Sequence, residues 1–258
     1  MSVFAPSLAR PEDAAPPALA LRDVSMRYPD GTEALGEVSF SVAAGEFVAL
    51  LGPSGCGKST LLKLASGLLT HTSGEIALDR ESLGYTFQDA TLMPWRRVLG
   101  NVELLMELRG IPADERRRRA LEQIALVGLT GFEQTHPRQL SGGMKMRAAL
   151  ARALTLNPSL FLFDEPFGAL DEITRERLNA ELAALYLRNG FAALFVTHSI
   201  AEALWLSSRV LVMGPRPGRV IAEFTVPFDF PRQPDLRFDP AFTRLAAEVS
   251  AELREVVV

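Results

Sequence analysis

The chain has 258 residues, nearly half of them apolar, with a formal net charge of −4 and one cysteine. That length suits one large α/β domain with a subdomain and a substantial core. The acidic balance argues against a nucleic-acid binder, the lone Cys56 excludes an intramolecular disulfide or a cysteine metal cluster, and no run of about 18 apolar residues spans a bilayer.

Residues 1–17, rich in Ala and Pro, lack the charged-then-apolar order of a signal peptide and read as a disordered lead. Alternating apolar positions predict a strand over 19–28, and further strands are expected over 38–42 and 46–51. A Gly-rich loop follows, then a helix to residue 69 carrying Leu61, Leu62, Leu64 and Leu68. Ser73-Gly74 breaks it before strands over 75–78 and 83–87. From 98 to 128 the pattern is helical, broken at Gly110-Ile111-Pro112. Arg116 to Arg119 fall in that stretch and read as a solvated helix face. Helices are expected over 141–154, 173–187, 200–206 and 240–255, and strands over 159–163, 192–196, 210–213 and 220–224. No internal repeat is visible. β-rich sequence, a helical block and a return to β/α alternation predict a parallel α/β nucleotide-binding core. The core carries an antiparallel β subdomain and an inserted helical subdomain at about 90–157, with the domain over 18–235 and a C-terminal helix over 236–258.

The loop reads Gly52, Pro53, Ser54, Gly55, Cys56, Gly57, Lys58, Ser59, Thr60 between an apolar strand and a helix. Its glycines let successive N–H groups converge on phosphate oxygens, and the helix adds its positive end. Lys58 supplies a point charge for the β- and γ-phosphates, and the Ser59 hydroxyl can ligate Mg²⁺. Cys56 reads as a small spacer. The apolar run 160–163 ends in Asp164 and Glu165, which places one carboxylate toward the metal and the next where it can deprotonate water. His198 closes the run 194–197 and is positioned for the γ-phosphate, while Gln88 ends a strand where its amide can reach metal or water. Tyr28 ends the first strand, where an exposed aromatic can stack on adenine.

Leu140-Ser141-Gly142-Gly143 then opens a helix through Leu154. In order with the other motifs this resembles the signature of ABC-type ATPases, and the resemblance runs from about residue 18 to 225. The resemblance implies that Tyr28 stacks on adenine, that 52–60 is Walker A, and that Gln88 is the Q-loop glutamine. By the same resemblance Asp164 is the Walker B aspartate, Glu165 the catalytic base, Gly168-Ala169-Leu170-Asp171 the D-loop and His198 the switch histidine. It also implies a head-to-tail pair of such chains, probe-like Ser141 and Gly143 of one closing the ATP held by the other. Met144 departs from the Gln common after Leu-Ser-Gly-Gly.

Phe87-Gln88-Asp89, Leu92-Met93-Pro94-Trp95, Asp164-Glu165-Pro166-Phe167 and Arg216-Pro217-Gly218-Arg219-Val220 are together similar to the nitrate/sulfonate/taurine importer subfamily. That likeness implies an ATP- and Mg²⁺-dependent subunit at the cytoplasmic face of the inner membrane. Its partners would be a second ATPase subunit, transmembrane permease subunits and, indirectly, an external solute-binding protein. Residues 89–101, with an apolar run unusual for a loop, are the expected permease-docking segment. The rival readings are a non-transport ATPase acting on ribosomes or DNA, for which the chain has neither a second cassette nor room for a coiled coil, and a non-hydrolysing assembly factor, against which Glu165 and His198 stand.

Overall fold

The computed structural model describes residues 16–168 and 170–257, so most of the expected N-terminal lead and Ala169 lie outside the described residues. The first elements are β1 (Leu19–Arg27), β2 (Glu33–Val42), β3 (Phe47–Leu51), α1 (Lys58–Ala65), β4 (Ser73–Leu78) and β5 (Leu83–Thr86). Four helices follow: α2 (Val98–Val102), α3 (Leu104–Leu108), α4 (Ala113–Leu126) and α5 (Gly142–Leu154). The chain closes with β6 (Leu160–Asp164), α6 (Glu172–Asn189), β7 (Ala192–Val196), α7 (Ile200–Leu206), β8 (Arg209–Met213), β9 (Val220–Thr225) and α8 (Pro240–Val257).

Strands β3, β6 and β7 are buried at every position, as central parallel strands covered on both faces must be. They sit in a six-stranded sheet of order β5-β6-β7-β3-β8-β9, parallel except for β9. Successive side chains go to opposite faces. Val48, Leu50, Leu160, Leu162, Leu194 and Val196 meet α1 and the antiparallel sheet β2-β1-β4. Phe47, Phe161, Phe163 and Phe195 point the other way, into a core with Met146, Leu150 and Leu182. Their rings are in mutual contact, with Phe161 and Phe163 stacked at 5.2 Å. The fold is therefore a P-loop core with a β subdomain on one face and helices on the other. All of α2–α5 lies in the connection between the adjacent strands β5 and β6.

Three boundaries differ from expectation for local reasons. β2 starts at Glu33, not 38, because Glu37 takes a left-handed φ of 52° and the β1–β2 register shifts there, interrupting the alternation. α1 ends at Ala65 because Gly67 turns left-handed, and Leu68 is exposed instead of continuing an apolar stripe. β5 stops at Thr86, so Gln88 lies beyond the strand. The arginine run lies on α4, where Arg118 pairs with Glu115 and Glu122, and Arg119 with Glu115. Arg116 donates to the Ile111 carbonyl at 2.8 Å. Two of the four arginines are thus paired within the helix.

One buried cation ties the C-terminal region to the sheet. Arg232 donates to the carbonyls of Leu204, Trp205, Ser207 and Phe228 at 2.7 to 2.9 Å, satisfying the end of α7. Burial pulls its guanidinium down to about 10. α8 then packs Phe242 and Val249 against Leu204, Val210 and Val212. Replacing Arg232 by Met should cost about 3 kcal/mol, because several buried carbonyls lose their donors. A urea midpoint unchanged from wild type would contradict that.

Candidate functional site

The phosphate loop is shaped by what its glycines exclude. Gly57, the residue before α1, has φ 106°, and a Cβ there would lie 2.7 Å from Leu35 and 2.8 Å from the Ala34 carbonyl. A Cβ on Gly52 would lie 2.9 Å from the Met213 carbonyl. Neither position admits a side chain without moving backbone. Lys58 folds back over the loop, donating to the carbonyls of Gly52 at 2.9 Å and Pro53 at 3.0 Å. Cys56 is buried, and burial pushes its thiol up, which fits a spacer and not a nucleophile.

The sheet delivers two carboxylates to the same place. Asp164 ends β6, buried, and accepts from Ser59 Oγ at 2.8 Å and from the Tyr85 hydroxyl at 3.3 Å. Burial raises the Asp164 carboxyl above its ordinary range, while the bonds from Ser59 and Tyr85 pull it down. Burial, together with that carboxylate, also raises the Tyr85 phenol. Glu165 is a non-glycine residue in the left-handed region, φ 45°, held by bonds from its N–H to the Val196 carbonyl and from the Gly168 N–H to its own carbonyl. That turn aims its carboxylate between two partners. One oxygen lies 3.9 Å from Lys58 Nζ and the other 3.4 Å from His198 Nδ1. Lys58, Ser59, Asp164, Glu165 and His198 thus converge from β3, β6 and β7 at one sheet edge.

Tyr28 and Gln88 are placed differently from expectation. Tyr28 is half-buried against the core below the antiparallel sheet, and its hydroxyl meets Thr60 Oγ1 at 3.1 Å. Gln88 is exposed, and among the described residues no hydrogen bond joins it to Ser59 or Asp164. Tyr85, three residues earlier, makes the contact to Asp164 that sequence reasoning missed. Its signal was its register opposite Leu162, one strand over and two residues short of the aspartate.

A second group sits apart. Ser141 caps α5, accepting from the Met144 N–H at 3.3 Å. Gly142 lies against the Leu170 side chain and the buried Gly143 against Thr174, close to Asp171, which caps α6. Those hydrogen bonds from Thr174 hold the Asp171 carboxyl below its usual range. Among the described residues no hydrogen bond or ion pair joins Ser141, Gly142 or Gly143 to the phosphate loop.

The loop over 89–101 is organised by one buried amide. Asn101 accepts from the Met93 N–H at 2.7 Å and donates to the carbonyls of Met93, Arg96 and Arg97 at 3.1 Å. Leu92 packs inward, while Trp95 stands 72% exposed.

A family model described as ABC transporter matches residues 35–168. Taurine import ATP-binding protein TauB of Rhizobium johnstonii is 44% identical over 239 residues, covering 88% of this chain and 91% of its own. A putative ATP-binding protein of Brucella abortus is 40% identical over 240 residues, covering 90% and 92%. Among solved structures, the dimeric bacterial ABC transporter cassette MJ0796 has a TM-score of 0.72 and 35% identity, over 82% of this chain and all of its own. The same cassette in a post-hydrolysis dimer with ADP and phosphate gives a TM-score of 0.73 and 34% identity over the same shares. The chain belongs to the ABC transporter family as an ATP-binding, ATP-hydrolysing importer subunit.

Proposed function

We propose that two copies of this chain pair head to tail and hydrolyse ATP between them, driving uptake of a small taurine-, sulfonate- or nitrate-like solute through separate permease subunits. The observation that carries this reading is the convergence of Lys58, Glu165 and His198 beside the Ser59–Asp164 pair. The names of relatives supply the solute class. The permease, fed by an external solute-binding protein, would hold the complex at the cytoplasmic face of the inner membrane. No helix among the described residues is long and apolar enough to cross a membrane.

The residues take roles that follow from their chemistry. The N–H groups of 52–60 and the N-terminus of α1 receive the phosphates, and Lys58 exchanges its carbonyl partners for phosphate oxygens. Ser59 and Asp164 offer hard oxygen donors to Mg²⁺, with Gln88 as the nearby amide, and bound Mg²⁺ would neutralise charge on the phosphates. A cation there would also offset the burial that now raises Asp164. Glu165 accepts a proton from the attacking water as its oxygen bonds to the γ-phosphorus and the bridging P–O bond to ADP breaks. His198, bonded to Glu165, orients that carboxylate and contacts the γ-phosphate. Ser141, Gly142 and Gly143 of the second copy close over the same phosphate, with Asp171 beside them. Tyr28 would stack on the base, its hydroxyl resting on Thr60.

Exposed Trp95, braced from behind by Asn101, is the proposed anchor for the permease. A non-transport role on nucleic acid gains little support from the arginine run of α4, two of whose four members are paired with glutamates of the same helix.

Glu165→Gln should bind ATP normally, lower turnover by roughly 10²- to 10⁴-fold and accumulate a nucleotide-bound dimer on size exclusion. Wild-type turnover would remove Glu165 from the base role. Lys58→Ala should weaken ATP binding by roughly 10- to 100-fold in equilibrium titration; unchanged affinity would sink the phosphate-loop assignment. Trp95→Ala should leave nucleotide affinity intact yet reduce co-purification with the co-expressed permease, at a cost of about 2 kcal/mol. Undiminished co-purification would move the docking surface elsewhere.

A further inference from the structure

Glu202 is a buried carboxylate that none of the roles above uses. It lies on the first turn of α7, 6% exposed, and burial raises its carboxyl above the usual range. One of its oxygens accepts a short hydrogen bond from the Thr197 hydroxyl. Thr197 immediately precedes His198, and its Oγ1 also receives the Ser199 N–H at 3.0 Å. Among the described residues the other oxygen, Oε1, has no hydrogen-bond partner and lies 3.8 Å from Arg175 Nε, which has none either. Arg175 in turn donates through Nη2 to the Leu170 carbonyl at 2.9 Å, next to Asp171, and through Nη1 reaches Glu172 at 3.3 Å. Asn179, also buried, faces the same carboxylate, and its Oδ1 is unpartnered.

A continuous polar path therefore runs beneath the surface from the His198 loop to the Leu170–Asp171 segment. It passes through Thr197, Glu202 and Arg175. A carboxylate kept here at the cost of desolvation, facing a guanidinium without a hydrogen bond, is poor value for stability alone. Its geometry suits a strut whose Glu202–Arg175 joint can tighten by less than an ångström.

We infer that Glu202 and Arg175 are positioning residues that hold the γ-phosphate-facing His198 and the partner-facing Leu170–Asp171 segment as one unit, so that closure of the second copy and alignment of the histidine occur together. The inference rests on the proposed role of His198. Neither residue touches nucleotide. Their loss should therefore slow the chemical step and leave binding alone.

The test is steady-state ATP hydrolysis and equilibrium ATP binding by the full-length chain, at concentrations that permit pairing. Glu202→Gln and Arg175→Met should each lower kcat about tenfold, with KM and ATP affinity within about twofold of wild type. The double variant should fall no further than the singles, because both cut one path. Thr197→Val, which breaks the path at its other end, should reproduce the same kcat loss without touching either charged residue. Wild-type kcat in Glu202→Gln, a multiplicative hundredfold loss in the double variant, or a parallel fall in ATP affinity would each overturn the strut. His198→Ala separates the two levels. If it retains full turnover, the role given to the histidine fails; if it loses turnover while Glu202→Gln does not, only the strut fails.

Discussion

An ammonium group with almost no access to water sets the terms of this site. Lys58 is 6% exposed and is compensated by two loop carbonyls and by Glu165 at 3.9 Å. Desolvating such a cation costs several kcal/mol unless strong partners surround it. Carbonyl dipoles offset part of that cost, and a triphosphate offsets far more. The loop is thus held in a form whose best partner is an anion. The glycines that cannot accept a Cβ keep it so, because any widening of the loop would also loosen the lysine's grip. The same logic governs Asp164, whose burial disfavours its charge until a cation arrives. Opposite electrostatic deficits sit side by side, and the proposed magnesium complex of the nucleotide would answer both.

The sheet order explains how residues 58, 164, 165 and 198 come within reach of one another. β3, β6 and β7 run parallel and adjacent, so their C-terminal ends open on one edge. Asp164 pairs in register with Val196, which brings His198 level with Glu165. The phenylalanine face behind them fixes that register, since a slip of one residue would turn Phe161, Phe163 and Phe195 away from the helical core. Strain is then local. The left-handed Glu165 costs about 1–3 kcal/mol and is held by the Val196 and Gly168 backbone bonds.

Much of this was legible in the chain because its signals are local. Buried strands announce themselves as apolar runs, and 192–196 and 200–206 match the observed elements residue for residue. Gly-rich loops and strand-end carboxylates also carry their chemistry in adjacent letters. What escaped depends on neighbours distant in sequence. β2 was read short because a left-handed Glu37 breaks the period-two pattern. Tyr85 reaches Asp164 across 79 positions, and Glu202 meets Arg175 across an intervening strand. Tyr28 was expected to be exposed, but the core below the antiparallel sheet draws its ring inward and Thr60 takes its hydroxyl. Asn101 reads as an ordinary helix residue, yet three carbonyls and one N–H of the preceding loop depend on it.

The arrangement of helix ends gives the pairing proposal its physical necessity. Each α-helix N-terminus is an anion site by virtue of its unpaired N–H groups and its dipole. Of the eight α-helices among the described residues, α1 and α5 open on Gly-rich segments, and the phosphate loop feeds only the first. Ser141 and Gly142 remain exposed at the second, braced from behind by Leu170 and Thr174 and bonded to nothing in their own phosphate loop. A rigid, exposed anion site with no anion in its own chain is half of a grip. In the proposed head-to-tail pair of identical chains, each copy would lend its α5 end to the phosphate held on its neighbour's α1. In the proposed pair, the path from Leu170 through Arg175 and Glu202 to Thr197 would link that borrowed end to the histidine of the lending chain.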